Sequence, residues 1–298
     1  MSTVSPASRH DLTDAQWAAL VPLLPPPTGR GRPRRYPLRG LVDGARYRAR
    51  VGCPWRDVPD RYGPWWRVYA LFACWQVLGV WERIESALIG AADAQGKLSW
   101  QASVDSTTAR AHVHAAGARR DSVKLVAGEP GHHALGRSRG GWSTKTHLAV
   151  DQRRGLISFL LTPGQAGDSP QMIGVLERIR VMRPGGRRAR TRPDRVLADK
   201  AYSSRANRAW LAGHGIRATI PVPTDQAAHR KARGRRGGRP PAFDPETYKD
   251  RHAVECGINA LNTTAASPPA TTNSPSATPR PYTSPSSTTG FDDLRNRP

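Results

Sequence analysis

Cysteine is scarce in this chain, which has only three in 298 residues. Cys53, Cys74 and Cys256 are odd in number and far apart, so they form neither a disulfide scaffold nor a metal-ligand motif. We therefore expect a reducing compartment, the cytoplasm. No apolar run approaches the roughly 18 residues of a membrane span, and the polar start of the chain lacks the apolar core of a signal peptide.

Acidic residues are also few, because 23 Asp and Glu stand against 46 Lys and Arg, which gives a formal net charge of +23. A surplus of this size needs an anionic partner, and nucleic acid is the usual one. A ribosomal protein or a cationic membrane binder would share this charge. Nine Trp residues indicate a folded protein rather than a disordered basic tail.

Residues 1–96 are predicted to form a small all-α domain that resembles a helix-turn-helix module. Thr13 starts the first helix with a capping-box pattern, and three further helical patterns follow. A basic loop between the first two helices contains Arg34 and Arg35, which we expect to contact DNA. An ordinary helical bundle without a DNA-binding role is the alternative.

Residues 97–262 alternate strand and helix patterns, which predicts an α/β domain with a mixed sheet flanked by helices. The predicted strands span residues 100–108, 144–151, 156–162, 195–199 and 217–222. Predicted helices span residues 169–180 and 203–213, and a last helix begins at Asp244. Residues 263–298 are rich in Ser, Thr, Pro and Ala, and such a segment is expected to be disordered.

Three acidic residues are candidate metal ligands. Asp105 and Asp199 each follow an apolar strand that should be buried, where a charge is unfavourable unless it is paired or bound to metal. Glu255 lies within an apolar helical stretch. Several carboxylates aimed at one point would hold Mg²⁺ or Mn²⁺, and two such ions assist phosphodiester cleavage. The alternatives are two aspartates that cap turns and one surface glutamate.

Tyr248, Arg251 and Glu255 recur at helical spacing, so we expect them to share one face of the last helix. Arg251 is then a candidate to neutralise a phosphate beside the metal site.

Five segments closely resemble the DDE transposases of insertion sequence family five, in the IS4/IS5-like group. They span residues 103–112, 133–141, 161–170, 196–204 and 243–256. The stretch from Asp11 to Ile84 also resembles that family's helical leader domain. The resemblance implies a ribonuclease-H-like catalytic fold and an enzyme that cleaves and joins DNA.

The resemblance also implies the roles of particular residues. Asp105, Asp199 and Glu255 would be the catalytic residues and the ligands of two Mg²⁺ or Mn²⁺ ions. Tyr248 and Arg251 match the Tyr and Arg before the Glu of the family signature, and Lys200 follows the second acid; we expect all three to contact DNA. The implied partners are double-stranded DNA, both transposon ends and target, and further copies of this chain in a homo-oligomer. Asp168 is a rival acid, but its loop fits a family motif between the first two acids.

The C-terminal part departs from the family. The signature places a Lys seven residues after the Glu, where this chain has Asn262, and the Ser/Thr/Pro-rich tail replaces a basic helical segment. We interpret residues 263–298 as the product of a reading-frame slip near Asn259. This interpretation predicts an inactive copy.

Two arginine-rich runs, residues 187–192 and 229–239, have no apolar face and read as loops. We expect Arg233, Arg235 and Arg236 to contact DNA phosphates, with a solvated surface as the alternative. The histidines of the loop that follows residue 111 lack the spacing of a zinc site.

Three other functions compete with a transposase. A DNA-binding regulator without catalysis would leave the three acids without a role. A metal-dependent nuclease of the same fold would cut DNA without joining it. The third is the inactive, frameshifted copy.

Overall fold

A computed structural model describes residues 10–26, 35–110, 134–138, 140–183 and 185–265, with side chains described up to residue 259. The predicted DNA contact Arg34 lies outside these ranges, as do the histidine-rich loop and residues 266–298. Residues 263–265, which we expected to belong to the disordered tail, instead end a helix that extends to Ala265. For residues 266–298 the disorder and the reading-frame slip remain predictions.

The N-terminal part of the chain is helical, as predicted. The residues described there form the α-helices α1 (Asp14–Leu20), α2 (Leu38–Val51), α3 (Trp65–Val77) and α4 (Val80–Ala94). The Thr13 side chain accepts a hydrogen bond from the Gln16 amide at 3.2 Å, and the Gln16 side chain accepts one from the Thr13 amide at 3.0 Å. This capping box satisfies two amide groups that the first helical turn cannot pair.

The start of the N-terminal part is fastened to α2 by a buried carboxylate. Asp43 accepts a hydrogen bond from the Leu12 amide at 3.0 Å, and Arg39 donates to the Leu12 carbonyl at 2.7 Å. Burial raises the pKa of Asp43, a cost that the Leu12 hydrogen bond and Arg39 partly offset.

The part of the chain that follows these helices is built on one mixed sheet. Its strands are β1 (Gln101–Arg110), β2 (Gly136–Ser138), β3 (Gly141–Asp151), β4 (Leu156–Pro163), β5 (Arg195–Ala198) and β6 (Arg217–Thr219). The main order is β4-β3-β1-β5-β6, and the short β2 pairs with the start of β3. β1, β3 and β4 are antiparallel neighbours, whereas β5 and β6 run parallel to β1. This is the mixed sheet expected for a ribonuclease-H-like domain.

Helices cover both faces of this sheet. On one face α5 (Gln171–Glu177) and α6 (Arg205–Gly213) pack on β1, β3, β4 and β5 through a core that includes Val104, Met172 and Leu211. On the other face α9 (His252–Ala265) packs on Leu148 and Val150 of β3. Neighbouring β3 residues belong to different cores because strand side chains alternate between the two faces. Helix α9 also contacts α2.

Two helix predictions are wrong in detail. The last helix is broken into α8 (Pro245–Lys249) and α9, with Asp250 and Arg251 between them. A long-range hydrogen bond from Gln101 to Asp250, 2.8 Å long, fixes this junction against the start of β1. Tyr248 therefore does not share a continuous helix face with Glu255.

The second arginine-rich run is helical rather than a loop. It spans the end of α7 (Thr224–Ala232) and a 3₁₀ turn at Gly234–Gly237. Basic residues in the last turn of α7 interact favourably with the negative end of the helix dipole. The missing apolar face concealed this helix in the sequence. Within the described residues, no helix is long and apolar enough to cross a membrane.

Candidate active site

Asp105 and Asp199 follow the point where the pairing of β1 with β5 ends. The last paired positions of the parallel strands β1 and β5 are Val104 and Ala198, and the two aspartates follow them directly. Side chains on either side of Asp105 alternate, and Val104 faces the α5 core, so Asp105 points to the face that α9 covers.

Asp199 also caps the turn that follows β5. Its Oδ1 accepts a hydrogen bond from the Ala201 amide at 2.8 Å, and a 3₁₀ turn spans Lys200–Tyr202. The turn-capping role considered for this residue is therefore real. It leaves the second carboxylate oxygen of Asp199 available for another ligand.

Arg251 connects Asp105 with Glu255. Its Nη1 donates to Asp105 Oδ2 at 2.9 Å, and its Nη2 donates to Glu255 Oε1 at 2.7 Å. The other Glu255 oxygen lies 3.0 Å from Nδ1 of His252. The first and third predicted acids, far apart in the chain, thus share one guanidinium group.

Close packing of α9 holds Glu255 over the sheet. Val254 is fully buried, with 0% of its surface exposed, between Leu148 and Val150. A Cβ atom on Gly257 would lie 3.2 Å from a methyl group of Val150, closer than most real contacts. Glycine at this position therefore allows the helix backbone to approach β3.

The electrostatics of the site disfavour an ionised Asp105. Burial raises the pKa of Asp105, and the charges of Asp199 and Asp168 raise it further, while the Ser106 amide and Arg251 act in the opposite direction. Burial also raises the pKa of the Tyr202 hydroxyl, and nearby Asp105 and Asp168 add to this effect. A cation bound beside Asp105 would relieve the repulsion.

The residues predicted to contact DNA lie in several places. Tyr248 is half-buried, and its ring lies 5.3 Å from that of Phe243. Lys200 is exposed immediately after Asp199. The remaining described candidates are exposed on the N-terminal side of α2 and after α7, at Arg35, Arg233, Arg235 and Arg236.

A polar cluster around Asp168 was not predicted from the sequence, which marked Asp168 only as a rival acid. Its Oδ1 accepts a hydrogen bond from Ser106 Oγ at 2.7 Å and lies 3.0 Å from Lys145 Nζ. The buried His147 lies 3.8 Å from the same oxygen. The one sequence signal for this cluster was the alternation of side chains along β3, which places Lys145 and His147 on the same face of the sheet.

The donor chemistry of the site fits a divalent metal ion. Asp105, Asp199 and Glu255 offer only carboxylate oxygens, the ligands that Mg²⁺ and Mn²⁺ prefer. In the part of the chain that the structure describes, no three His, Cys, Asp or Glu side chains are grouped at metal-binding distances. Arg251 stands between two of the three acids and balances their charge.

Family models match most of the chain. Residues 12–85 match a model described as a putative transposase of the IS4/5 family, and residues 98–280 match a transposase DDE domain. The second match alone covers more than half of the chain and includes Asp105, Asp199 and Glu255. Members of the DDE family use a divalent metal ion.

Curated relatives match about a third of the chain or slightly more. An uncharacterized protein y4sN of Sinorhizobium fredii is 38% identical over 109 residues, which is 37% of this chain and 83% of the relative. An uncharacterized 16.2 kDa protein of insertion element IS402 from Burkholderia cepacia is 33% identical over 110 residues, which cover 34% of this chain and 73% of the relative. A putative transposase of element IS6501 from Brucella ovis is 28% identical over 119 residues, which cover 40% of this chain and 75% of the relative.

Solved structures match at low similarity. A simian T-cell lymphotropic virus intasome bound to a PP2A regulatory subunit aligns with TM-score 0.26 and 13% identity, over 86% of this chain and 84% of that one. The Mos1 transposase paired-end complex with its left transposon end aligns with TM-score 0.23 and 13% identity, over 85% of this chain and 70% of that one. Both scores are too low to support an argument about the fold.

Proposed function

This chain belongs to the DDE transposase family, and on that premise we propose that Asp105, Asp199 and Glu255 are its catalytic, metal-holding residues. Transposases of this family are enzymes that cleave DNA and transfer the cut strand. The observation that carries the assignment is the placement of Asp105 and Asp199 directly after paired positions of adjacent parallel strands, with Glu255 joined to Asp105 through Arg251.

Each of the three acids has a distinct structural role in this proposal. Asp105 and Asp199 are held rigidly because each directly follows a fully buried strand residue, Val104 and Ala198 respectively. Glu255 is more exposed and sits on a helix, so its carboxylate can adjust to a bound ion. Two Mg²⁺ or Mn²⁺ ions, when bound, supply charge stabilisation for the attacking and leaving oxygens.

Arg251 balances the acids before metal and DNA are present. A guanidinium group donates to carboxylates and to phosphates with similar geometry. We infer that Arg251 exchanges at least one carboxylate for a DNA phosphate when the acids take up a cation. Tyr248, whose carbonyl accepts a hydrogen bond from the Arg251 amide at 3.0 Å, then forms part of the same phosphate-facing surface.

The exposed basic residues supply binding to the DNA backbone. Arg233, Arg235 and Arg236 follow α7 without being buried, and Lys200 is exposed beside Asp199. Contacts of this kind are insensitive to sequence and weaken with salt. The substrates are double-stranded transposon ends and target DNA. Joining both ends of an element at one place needs two active sites, so the active complex is a homo-oligomer.

A cleavage and strand-transfer reaction on the element's own ends tests this proposal. The purified chain is incubated with Mg²⁺ or Mn²⁺, and cut ends and joined products are separated. Asp105→Ala and Asp199→Asn are expected to abolish both products while DNA binding persists. Equal loss of DNA binding in these variants would show that the acids are structural. Cut ends without joined product would indicate a nuclease.

A further inference from the structure

Behind Asp105, on the opposite face of the sheet, lies the Asp168 cluster, which consists of Ser106, Lys145, His147 and Asp168. Ser106 and His147 are paired positions of β1 and β3. Because side chains alternate along a strand, Ser106 points away from the face that Asp105 occupies and toward the α5 side. The cluster therefore lies directly beneath the proposed metal-binding end of β1.

Charges within the cluster are balanced. Asp168 pairs with Lys145 at 3.0 Å, and Lys145 also donates to the Ala166 carbonyl at 2.9 Å. Burial lowers the pKa of His147 to about 4, so this imidazole is neutral at pH 7. Its Nε2 lies 2.8 Å from the Thr162 hydroxyl. Lys145 thus supplies the positive charge opposite Asp168.

Ser106 connects two carboxylates on opposite faces of the sheet. Its hydroxyl donates to Asp168 Oδ1 at 2.7 Å, and its amide donates to Asp105 Oδ1 at 2.8 Å. Holding the Ser106 side chain therefore limits rotation of the peptide group that orients the Asp105 carboxylate.

The loop that carries Asp168 is also tied to the turn after Asp199. The buried Asn207 amide donates to the carbonyl and hydroxyl oxygens of Ser169 at 3.0 and 3.1 Å, and to the Tyr202 carbonyl at 3.0 Å. Only 2% of Asn207 is exposed. Asn207 therefore connects the loop that carries Asp168 to the turn after Asp199, and these contacts restrict movement of Asp168.

We propose that Asp168 is a positioning residue that orients Asp105 for metal binding by holding Ser106. This inference rests on the proposed function, because it takes Asp105 as a metal ligand. Asp168 acts from behind the sheet through a hydrogen bond to the neighbour of that ligand. Partners of metal ligands typically contribute about 10- to 100-fold to metal affinity.

Calorimetric titration of the full chain with Mn²⁺, without DNA, tests the inference. Ser106→Ala and Asp168→Ala are each expected to weaken Mn²⁺ binding about tenfold. The double variant is expected to bind no more weakly than the weaker single variant, since both changes remove one hydrogen bond. Asp168→Asn keeps an oxygen acceptor for Ser106 and is expected to bind Mn²⁺ nearly as the parent does.

Control variants separate the possible outcomes. Ser106→Ala leaves the Asp168–Lys145 ion pair intact, so it tests the link even if Asp168→Ala fails to fold. Asp194→Asn removes a comparable carboxylate, paired with Arg190 at 2.6 Å, from the opposite end of β5 and should not change Mn²⁺ affinity. Three results would overturn the inference. The first is an unchanged Mn²⁺ affinity in Ser106→Ala, and the second is a double variant whose loss of affinity is the product of the two single losses. The third is an equal loss of affinity in Asp168→Asn and Asp168→Ala.

Asp105→Ala distinguishes this inference from the proposed function. If Asp105→Ala still binds Mn²⁺ as the parent does, the assignment of Asp105 as a ligand fails. If Asp105→Ala loses binding while Ser106→Ala retains it, only the positioning role of Asp168 fails.

Discussion

The Arg251 guanidinium group bridges Asp105 and Glu255, with hydrogen bonds of 2.9 Å to the first and 2.7 Å to the second. One residue between two helices thus joins the middle of β1 to the first turn of α9. It occupies the place between two acids where a cation would also be favourable. The charge balance of the site depends on this contact when no metal is bound.

Removal of Arg251 should make the protein depend on metal for stability. Arg251→Ala removes the guanidinium group that Asp105 and Glu255 share and leaves them only the Ser106 amide and His252. We expect a loss of about 1–2 kcal/mol in unfolding free energy without metal. Added Mg²⁺ or Mn²⁺ should raise the melting temperature of this variant more than that of the parent. Arg190→Ala, which breaks a surface pair with Asp194, is the control. Equal metal responses in all three proteins would contradict the bridging role.

Asp105 should reduce stability at neutral pH. Its folded-state pKa is raised, so the folded protein holds this proton more tightly than the unfolded chain does. The protonated Asp105 therefore contributes to the free energy of unfolding at low pH. This contribution is lost as the pH rises from the unfolded-chain pKa of about 4 through the raised pKa of the folded protein. Without metal, Asp105→Asn should melt at a higher temperature than the parent at pH 7.

The difference between the two proteins should shrink as the pH falls through the raised pKa of Asp105, because Asp105 in the folded parent then becomes protonated. Thermal melting across this range, with Asp194→Asn as the matched exposed carboxylate, measures the effect. A lower melting temperature for Asp105→Asn at pH 7 would mean that its pairing with Arg251 outweighs burial.

The close approach of α9 to β3 should be required for activity. Gly257→Leu puts a side chain where a Cβ atom would already lie 3.2 Å from Val150, so we expect a loss of about 1–3 kcal/mol and a displaced Glu255. DNA cleavage should fall more than tenfold while DNA binding is retained. Gly213→Ala in α6 is the control, because its Cβ would meet nothing within 4 Å. Full cleavage activity in Gly257→Leu would show that Glu255 does not need this position.

The arginines after α7 should determine the salt dependence of DNA binding. Each phosphate contact contributes about −0.9 to the slope of log affinity against log salt concentration. Replacing Arg233, Arg235 and Arg236 by Ala should therefore flatten that slope by up to about three such contributions. Arg178→Ala with Arg180→Ala, exposed arginines outside this run, serves as the control. An unchanged slope in the triple variant would indicate that these arginines form a solvated surface without phosphate contacts.

The sequence predicted the elements whose signals are local. Alternating and apolar runs marked β1, β3, β4 and β5, and the position of Asp105 and Asp199 after two of those strands indicated neighbouring acids. The resemblance to a known family added Glu255, which periodicity alone leaves as a surface residue.

Long-range contacts account for what the sequence did not predict. The break between α8 and α9 lies at Asp250, which accepts a hydrogen bond from Gln101, a residue distant in the chain. The link from Asp168 to Ser106 likewise joins segments that are distant in the chain. Helix α7 has no buried residue, so hydrophobic periodicity carried no information about it.

The most direct measurement of the central claim exchanges a carboxylate ligand for a thiolate. Asp105→Cys and Asp199→Cys are assayed for cleavage of the element's ends with Mg²⁺ and with Mn²⁺. Thiolate is a poor ligand for Mg²⁺ and a better one for softer ions, so activity should be lost with Mg²⁺ and partly restored with Mn²⁺. Ser103→Cys, on the same strand and face as Asp105, should show no such switch. Equal activity of the Asp105→Cys variant with both metals would contradict its role as a metal ligand.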